Sequence, residues 1–197
     1  MGETDKRLRV LVIDKTPGRA AILEQALLDI GHRVVAKLTG PVDLYAEVAR
    51  IQPDVIIVDL QSPDRDTLEQ MREINRHQPR PVVMFADDGD SRTIEQAVRA
   101  GVSAYVVDGL NGKRVRPLLD VAIARFREYQ ALRDELEKAK SSLAERKLVE
   151  RAKGLLMKRR GCSEEEAYKA LRKLAMDQNK RLAEVAENVL SVADMLI

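Results

Sequence analysis

Ten basic side chains fall between positions 151 and 181: Arg151, Lys153, Lys158, Arg159, Arg160, Lys169, Arg172, Lys173, Lys180 and Arg181. Rows of fixed positive charge bind nucleic-acid phosphates without reading sequence. Lys153 and Arg160 lie seven apart, which puts them on one helix face with Met157 between them; both are expected to be exposed. Lys169, Arg172 and Lys173 offer a second row, and Lys180 and Arg181 a third. A charge run is also the ordinary composition of a solvated face. Here, however, the nearby acids are segregated to Glu164, Glu165 and Glu166. Tyr168 is the single aromatic after Tyr129. It could stack on a base or pack on a neighbouring helix. One ring makes no stacking array for an extended strand, so folded RNA read by shape, with a few loop bases touched, fits better.

A second set of reactive side chains is acidic. Asp14 follows the apolar run LRVLVI and Asp59 follows VIIV. Carboxylates at the ends of buried parallel strands sit where ligands gather in open α/β sheets. An aspartate there also serves as a helix cap or turn residue. Cys162 is the single cysteine, which excludes a disulfide framework and a cysteine-based zinc site. His32 and His77 stand isolated in expected turns, as solvated imidazoles rather than ligands. No metal or cofactor site and no enzymatic activity are expected.

These groups need elements to position them. Strands are expected at residues 8–13, 33–37, 55–58, 82–85 and 104–107, because near-continuous apolar runs mark strands buried on both faces. Helices are expected from Pro17 through residue 30, at 42–51, 66–75 and 91–100, and from Gly112 onward. Five strands alternating with five helices indicate a doubly wound α/β domain with a five-stranded parallel sheet. From Val115 to Glu150 one proline, Pro117, interrupts the run, and it lies in the first turns, where proline is tolerated. Ala122, Arg125, Tyr129, Leu132, Leu136, Ala139 and Leu143 alternate by three and four residues, flanked by Glu128, Arg133, Glu135, Lys138 and Lys140. This is a heptad seam for a dimeric coiled coil, or a helix folding back on the sheet domain.

Residues 145–197 read as a small three-helix module. Its first helix carries Leu148, Ala152, Leu155 and Leu156 and stops near Gly161. Ser163 with Glu166 forms a capping box that opens the second, which buries Ala167, Leu171, Leu174 and Ala175. The third starts around residue 179 or 180 with Leu182, Val185, Ala186 and Val189. Gly154 interrupts the first helix at a cost of about 1 kcal/mol relative to Ala, which suits close approach by a neighbouring helix or by RNA. The expected domains are therefore 1–118, a linker helix at 119–144, and 145–197. The net charge of +2 hides an asymmetry. Residues 1–120 hold 17 Lys+Arg against 19 Asp+Glu, but residues 145–181 hold 12 against 6, so the positive charge belongs to the C-terminal module. No secretory signal or membrane-spanning run is visible, so the expected location is the cytoplasm.

Residues 8 to about 118 resemble a response-regulator receiver domain, on the order of strands, Asp14, and Asp59 in VIIVDLQSPDRD. The resemblance implies that Asp59 occupies the phosphoacceptor place and that flanking carboxylates would hold Mg²⁺. The chain departs from that pattern at three positions. The family usually has two adjacent acids after the first strand, and here Asp14 is followed by Lys15. Its hydroxyl residue after the fourth strand corresponds to Ala86 in MFADD, and its lysine after the fifth to Asp108 in VVDGL. A metal-ligand candidate, the switching hydroxyl and the phosphate-pairing cation are thus missing. The expectation is a degenerate receiver independent of phosphorylation, with Asp59 a phosphoacceptor candidate left unused. Lys15 either sets an ammonium near Asp59, favouring its ionised form, or points to solvent.

The stretch ERAKGLLMKRRGCSEEEAYKALRKLAMDQNKRLAEVAENVL is similar to the ANTAR domain, the RNA-binding module of the AmiR/NasT family of antitermination regulators. The similarity rests on residues 152–154, 156–157, Ser163, 166–168, 171–172, 175–176 and 185–186. With a degenerate receiver and a coiled-coil linker, the chain resembles the NasT branch of that family. The resemblance implies binding to paired stem-loops in leader mRNA of nitrate and nitrite assimilation operons, so that polymerase reads through an overlapping terminator. It also implies control by a nitrate-sensing, periplasmic-binding-protein-like (NasS-type) partner, and a homodimer that brings two modules to two stem-loops. The competing reading is a phosphorylation-dependent DNA-binding response regulator, since three helices and basic charge also describe a helix-turn-helix. Against it, the second helix opens Ser163-Glu164-Glu165-Glu166, where acids repel phosphate. A phosphotransfer protein without nucleic-acid function is disfavoured by Lys15, Ala86 and Asp108.

Overall fold

The computed structural model describes residues 7–14, 19–107 and 112–194, and the chain divides into two compact units, Met1–Gln130 and Ala131–Ile197. In the first unit, strands β1 (Arg9–Asp14), β2 (Arg33–Leu38), β3 (Val55–Leu60), β4 (Val82–Ala86) and β5 (Ala104–Val107) form one sheet of order β2-β1-β3-β4-β5. Every pairing is parallel. The apolar runs become strands because both faces are covered. Leu11, Ile13, Ile56, Val58 and Met84 pack under α2 (Leu44–Ile51), α3 (Arg65–His77) and α4 (Ser91–Arg99). The alternate residues Val10, Val12, Ile57, Val83 and Phe85 pack under α1 (Arg19–Asp29) and the first turns of α5 (Gly112–Arg160). This is the doubly wound arrangement expected of alternating strands and helices.

Strand pairing runs further than the apolar pattern suggests. Asp14, Asp59 and Ala86 all lie inside strands, because Asp14 pairs with Asp59 across β1 and β3 and Leu60 with Ala86 across β3 and β4. Three other aspartates, Asp43, Asp64 and Asp90, cap α2, α3 and α4 by accepting from backbone N–H groups; each such cap contributes about 1 kcal/mol. Lys15, Pro17 and Asp108 lie outside the described residues.

Two local expectations are corrected in this unit. His77 belongs to the last turn of α3, beside Glu73 at 3.4 Å and edge-on to Tyr45. His32 is half-buried, and burial pulls its imidazole below the ordinary range. Ala122 packs in the sheet core with Val115 and Leu119, so it is no part of a seam. The same three-and-four spacing serves the core at that end of α5.

The second unit is built from the C-terminal part of α5, α6 (Glu164–Asp177) and α7 (Leu182–Asp194). The linker helix and the first helix expected of the module are therefore one element. α5 ends at Arg160, and the following Gly161 is left-handed at φ 64° and donates its N–H to the Met157 carbonyl at 3.0 Å. The capping box forms: Ser163 Oγ accepts from Glu166 N at 3.2 Å, and Glu166 Oε2 accepts from Ser163 N at 2.8 Å. Asn179, also left-handed at φ 51°, ends α6, and α7 begins at Leu182 rather than at 179 or 180. The core joins Ala152, Leu171, Ala175, Val185 and Ala186. Leu174 is exposed, against expectation, because Leu171 and Ala175 hold the buried stripe and Leu174 stands about 100° away from Ala175 around the helix. Among the described residues, no helix is long and apolar enough to cross a membrane.

Candidate nucleic-acid interface

Nine of the ten basic residues are exposed where the sequence put them. Arg151, Lys158, Arg159 and Arg160 stand on the last turns of α5, Lys169, Arg172 and Lys173 on α6, and Lys180 and Arg181 before α7. Met157 and Tyr168 are exposed as well. Lys169 and Arg181 are among those with acidic neighbours. Lys169 pairs with Glu165 at 2.7 Å across one helical turn. Arg181 reaches Glu184 at 3.1 Å and Glu145 at 3.4 Å, and Glu184 also accepts from the Arg181 backbone N–H. These pairs are solvent-exposed, worth little to stability and readily exchanged for phosphate.

Lys153 is the exception. It retains only 7% of its surface, so the expectation that it shares an exposed face with Arg160 is wrong. Its ammonium donates to Glu150 Oε1 at 2.9 Å and to Glu164 Oε1 at 2.6 Å. Glu164 is the first residue of α6, so the lysine ties α5 to the start of α6. The hydrogen bond to Glu164, followed by that to Glu150, raises the Lys153 pKa, and the same bond holds Glu164 below the usual carboxylate range. The seven-residue spacing is that of one helix face, but α6 covers the turn of Lys153 and leaves the turn of Arg160 open.

Gly154 follows it on the outside. It is exposed, and a Cβ added there meets nothing within 4 Å. No neighbouring helix requires the glycine. Its neighbours on the helix surface are Glu150, Arg151, Met157 and Lys158, three and four residues away.

The other candidate chemistry lies at the sheet edge of the first unit. Asp14 and Asp59 are both buried and sit side by side in register. Ala86, at the end of β4, is buried and supplies no hydroxyl. A receiver-type Mg²⁺ would need oxygen donors converging beside Asp59. Among the described residues no third acid, histidine or cysteine joins Asp14 and Asp59. This donor set does not fit the metal.

The neighbouring loops are instead fastened by the protein itself. Ser62 Oγ donates to Asp88 Oδ2 at 2.9 Å, and the Asp87 and Asp88 N–H groups donate to the Gln61 carbonyl at 3.0 and 3.1 Å. The Tyr105 hydroxyl donates to the Asp88 carbonyl at 2.8 Å. Donation from the Asp90 N–H, then from Ser62 and Thr93, holds the Asp88 carboxyl below its ordinary range. Sequence reasoning missed this cluster, whose only trace is the pair QS after β3 and DD after β4.

The model of the response regulator receiver domain matches residues 10–118, and that of the ANTAR domain matches residues 137–190. The transcriptional regulatory protein PdtaR of Mycobacterium tuberculosis is 33% identical over 183 residues, covering 92% of this chain and 89% of the relative. The chain is an ANTAR-domain response regulator. A nitrate regulatory protein of Klebsiella oxytoca is 44% identical to the regulator over 77 residues, which are 39% of this chain and 19% of that protein. The sheet domain is similar in fold to a signal receiver domain of a modulated diguanylate cyclase from Desulfovibrio desulfuricans G20. That likeness has a TM-score of 0.55 at 18% identity and covers 63% of the regulator and 99% of that chain.

Proposed function

We propose that the regulator is a non-enzymatic transcription antiterminator that binds paired stem-loops in leader mRNA. The observation that carries this reading is the set of exposed cations on α5, α6 and the start of α7, within the segment that matches the ANTAR domain. Phosphate contacts of this kind give affinity and position, and a few loop contacts give specificity. Duplex DNA is a poorer partner, because the N-terminal turn of α6 exposes Glu164, Glu165 and Glu166 where a reading helix would meet the groove. Nitrate and nitrite assimilation operons are the proposed targets, supported by the nitrate regulatory protein that 77 residues of the chain resemble. The division of labour is a receiver-like domain to residue 118, a dimerising linker at 119–144 and an RNA-binding module from 145.

Gly154 tests the RNA reading in two opposed directions. Gly154→Ala is expected to raise the stability of the module by about 1 kcal/mol, since alanine is the better helix former and its Cβ has room. The same methyl is expected to weaken leader-RNA binding about fivefold, by holding the RNA backbone off the helix. Thermal melts and filter binding at one stated salt concentration measure both. Tighter melting with unchanged RNA affinity would remove α5 from the interface.

Control is proposed to come from a nitrate-sensing NasS-type protein rather than from phosphorylation. Such a partner needs only a surface that differs between states. Support comes from the donor set around Asp59 and from the loop cluster at Asp88, which already joins the two loops that flank the phosphoacceptor place. Asp59→Asn is therefore expected to leave antitermination and its nitrate response within about twofold of wild type. RNA binding measured with and without acetyl phosphate and Mg²⁺ decides the matter. A large phosphate-dependent gain that Asp59→Asn abolishes would instead require a histidine kinase as the partner.

A further inference from the structure

The second unit carries a groove of ≈ 420 Å³ that none of the basic rows explains. The volume lies in the lower range of small-ligand clefts, about 300–1,000 Å³. Its walls are aliphatic, from Leu155 and Leu156 on α5, Leu174 on α6 and Val189 on α7. Polar residues line the same groove, Arg159 and Arg160 on α5, Gln178 after α6 and Asn188 on α7, all exposed. Among the described residues no carboxylate lines it. A groove of the first unit differs in kind, since Asp43, Asp64, Asp66, Glu69 and Glu73 all contribute to its wall.

Building on the RNA reading, we propose that this groove is the pocket for one unpaired loop base of the bound stem-loop. A base turned out of a loop presents two apolar faces, a planar edge of donors and acceptors, and a phosphate on either side. The aliphatic walls match the faces. Gln178 and Asn188, each with a carbonyl acceptor and an amide donor, match the edge. Arg160 matches the phosphate, and the described lining holds no acid. Leu174, one of the apolar side chains that α6 leaves exposed, gains a role as one wall.

The test uses the full-length protein and a pool of RNA hairpins with a fixed stem and a randomised loop. Wild type is expected to select one base at a single loop position by about tenfold over the others, the discrimination of one well-paired base edge. Gln178→Ala with Asn188→Ala is expected to lose that preference while keeping the salt dependence of binding, because no phosphate contact is removed. Both positions are exposed, and circular dichroism checks that the helices persist. If the variant selects the same base as strongly as wild type, the pocket is wrong and the RNA reading survives. If wild type enriches no hairpin, the RNA reading fails and the pocket with it. If the variant changes sedimentation mass and leaves RNA selection intact, the groove holds protein and the proposal is overturned.

Discussion

Replacing Arg160, Lys169, Arg172 and Lys173 together by alanine is expected to weaken leader-RNA binding by about one to two orders of magnitude. All four side chains are exposed on α5 and α6, so their removal leaves the core of Ala152, Leu171, Ala175, Val185 and Ala186 untouched. An exposed charge pair contributes about 0.2–1 kcal/mol. Four such contacts therefore sum to roughly 1–4 kcal/mol, and every 1.4 kcal/mol is about tenfold in affinity. The salt dependence is the sharper readout. Each phosphate contact releases counterions, so losing four should flatten the slope of log affinity against log salt by roughly three. Lys153 is left in place because it is buried between Glu150 and Glu164, and changing it would confuse a folding effect with a binding effect. A variant that keeps both wild-type affinity and slope would show that the positive face is only a solvated surface.

How much of this was legible depends on how far apart the interacting residues lie. The strands could be read because each is covered on both sides, so a short window such as VIIV carries the whole signal. The capping box of Ser163 and Glu166 is equally local, three residues from end to end. Lys153 was misread because its decisive partner, Glu164, is eleven residues away across the turn at Gly161, and helix periodicity carries no information about what covers a face. Ala122 shows the same limit from the other side. Its spacing suits a heptad seam and the core of a sheet domain equally well, and only the position of the sheet decides between them. Ser62 and Asp88 are 26 residues apart, so the loop cluster beside Asp59 had no local signature. Legible chemistry at Asp14, Asp59 and Ala86 came from identity at strand ends, which the register then confirmed as neighbouring positions.

Leu132→Asp with Leu136→Asp is expected to convert an RNA-competent dimer into a monomer. In the second unit Leu132, Leu136 and Leu143 keep 57%, 54% and 56% of their surface exposed along α5. The helix is otherwise polar there, with Lys140 paired to Glu137 at 3.0 Å. The spacing of four, three and four through Leu132, Leu136, Ala139 and Leu143 is that of a two-stranded coiled coil, whose knobs must be apolar. Burying a leucine is worth about 2 kcal/mol. Two positions in each of two chains would therefore contribute roughly 8 kcal/mol, which is more than five orders of magnitude in the dimer constant. Aspartate forfeits that contribution and adds the cost of placing charge in the seam. Sedimentation across a wide concentration range measures the outcome. Binding to a single stem-loop should persist in the monomer, since the module's core and cations lie beyond the substituted turns. The advantage of a paired stem-loop over a single one should disappear, because that advantage is the effective concentration created by joining two modules. If mass and paired-site advantage are both unchanged, α5 is not the dimerising element, and the exposed leucines must serve another partner.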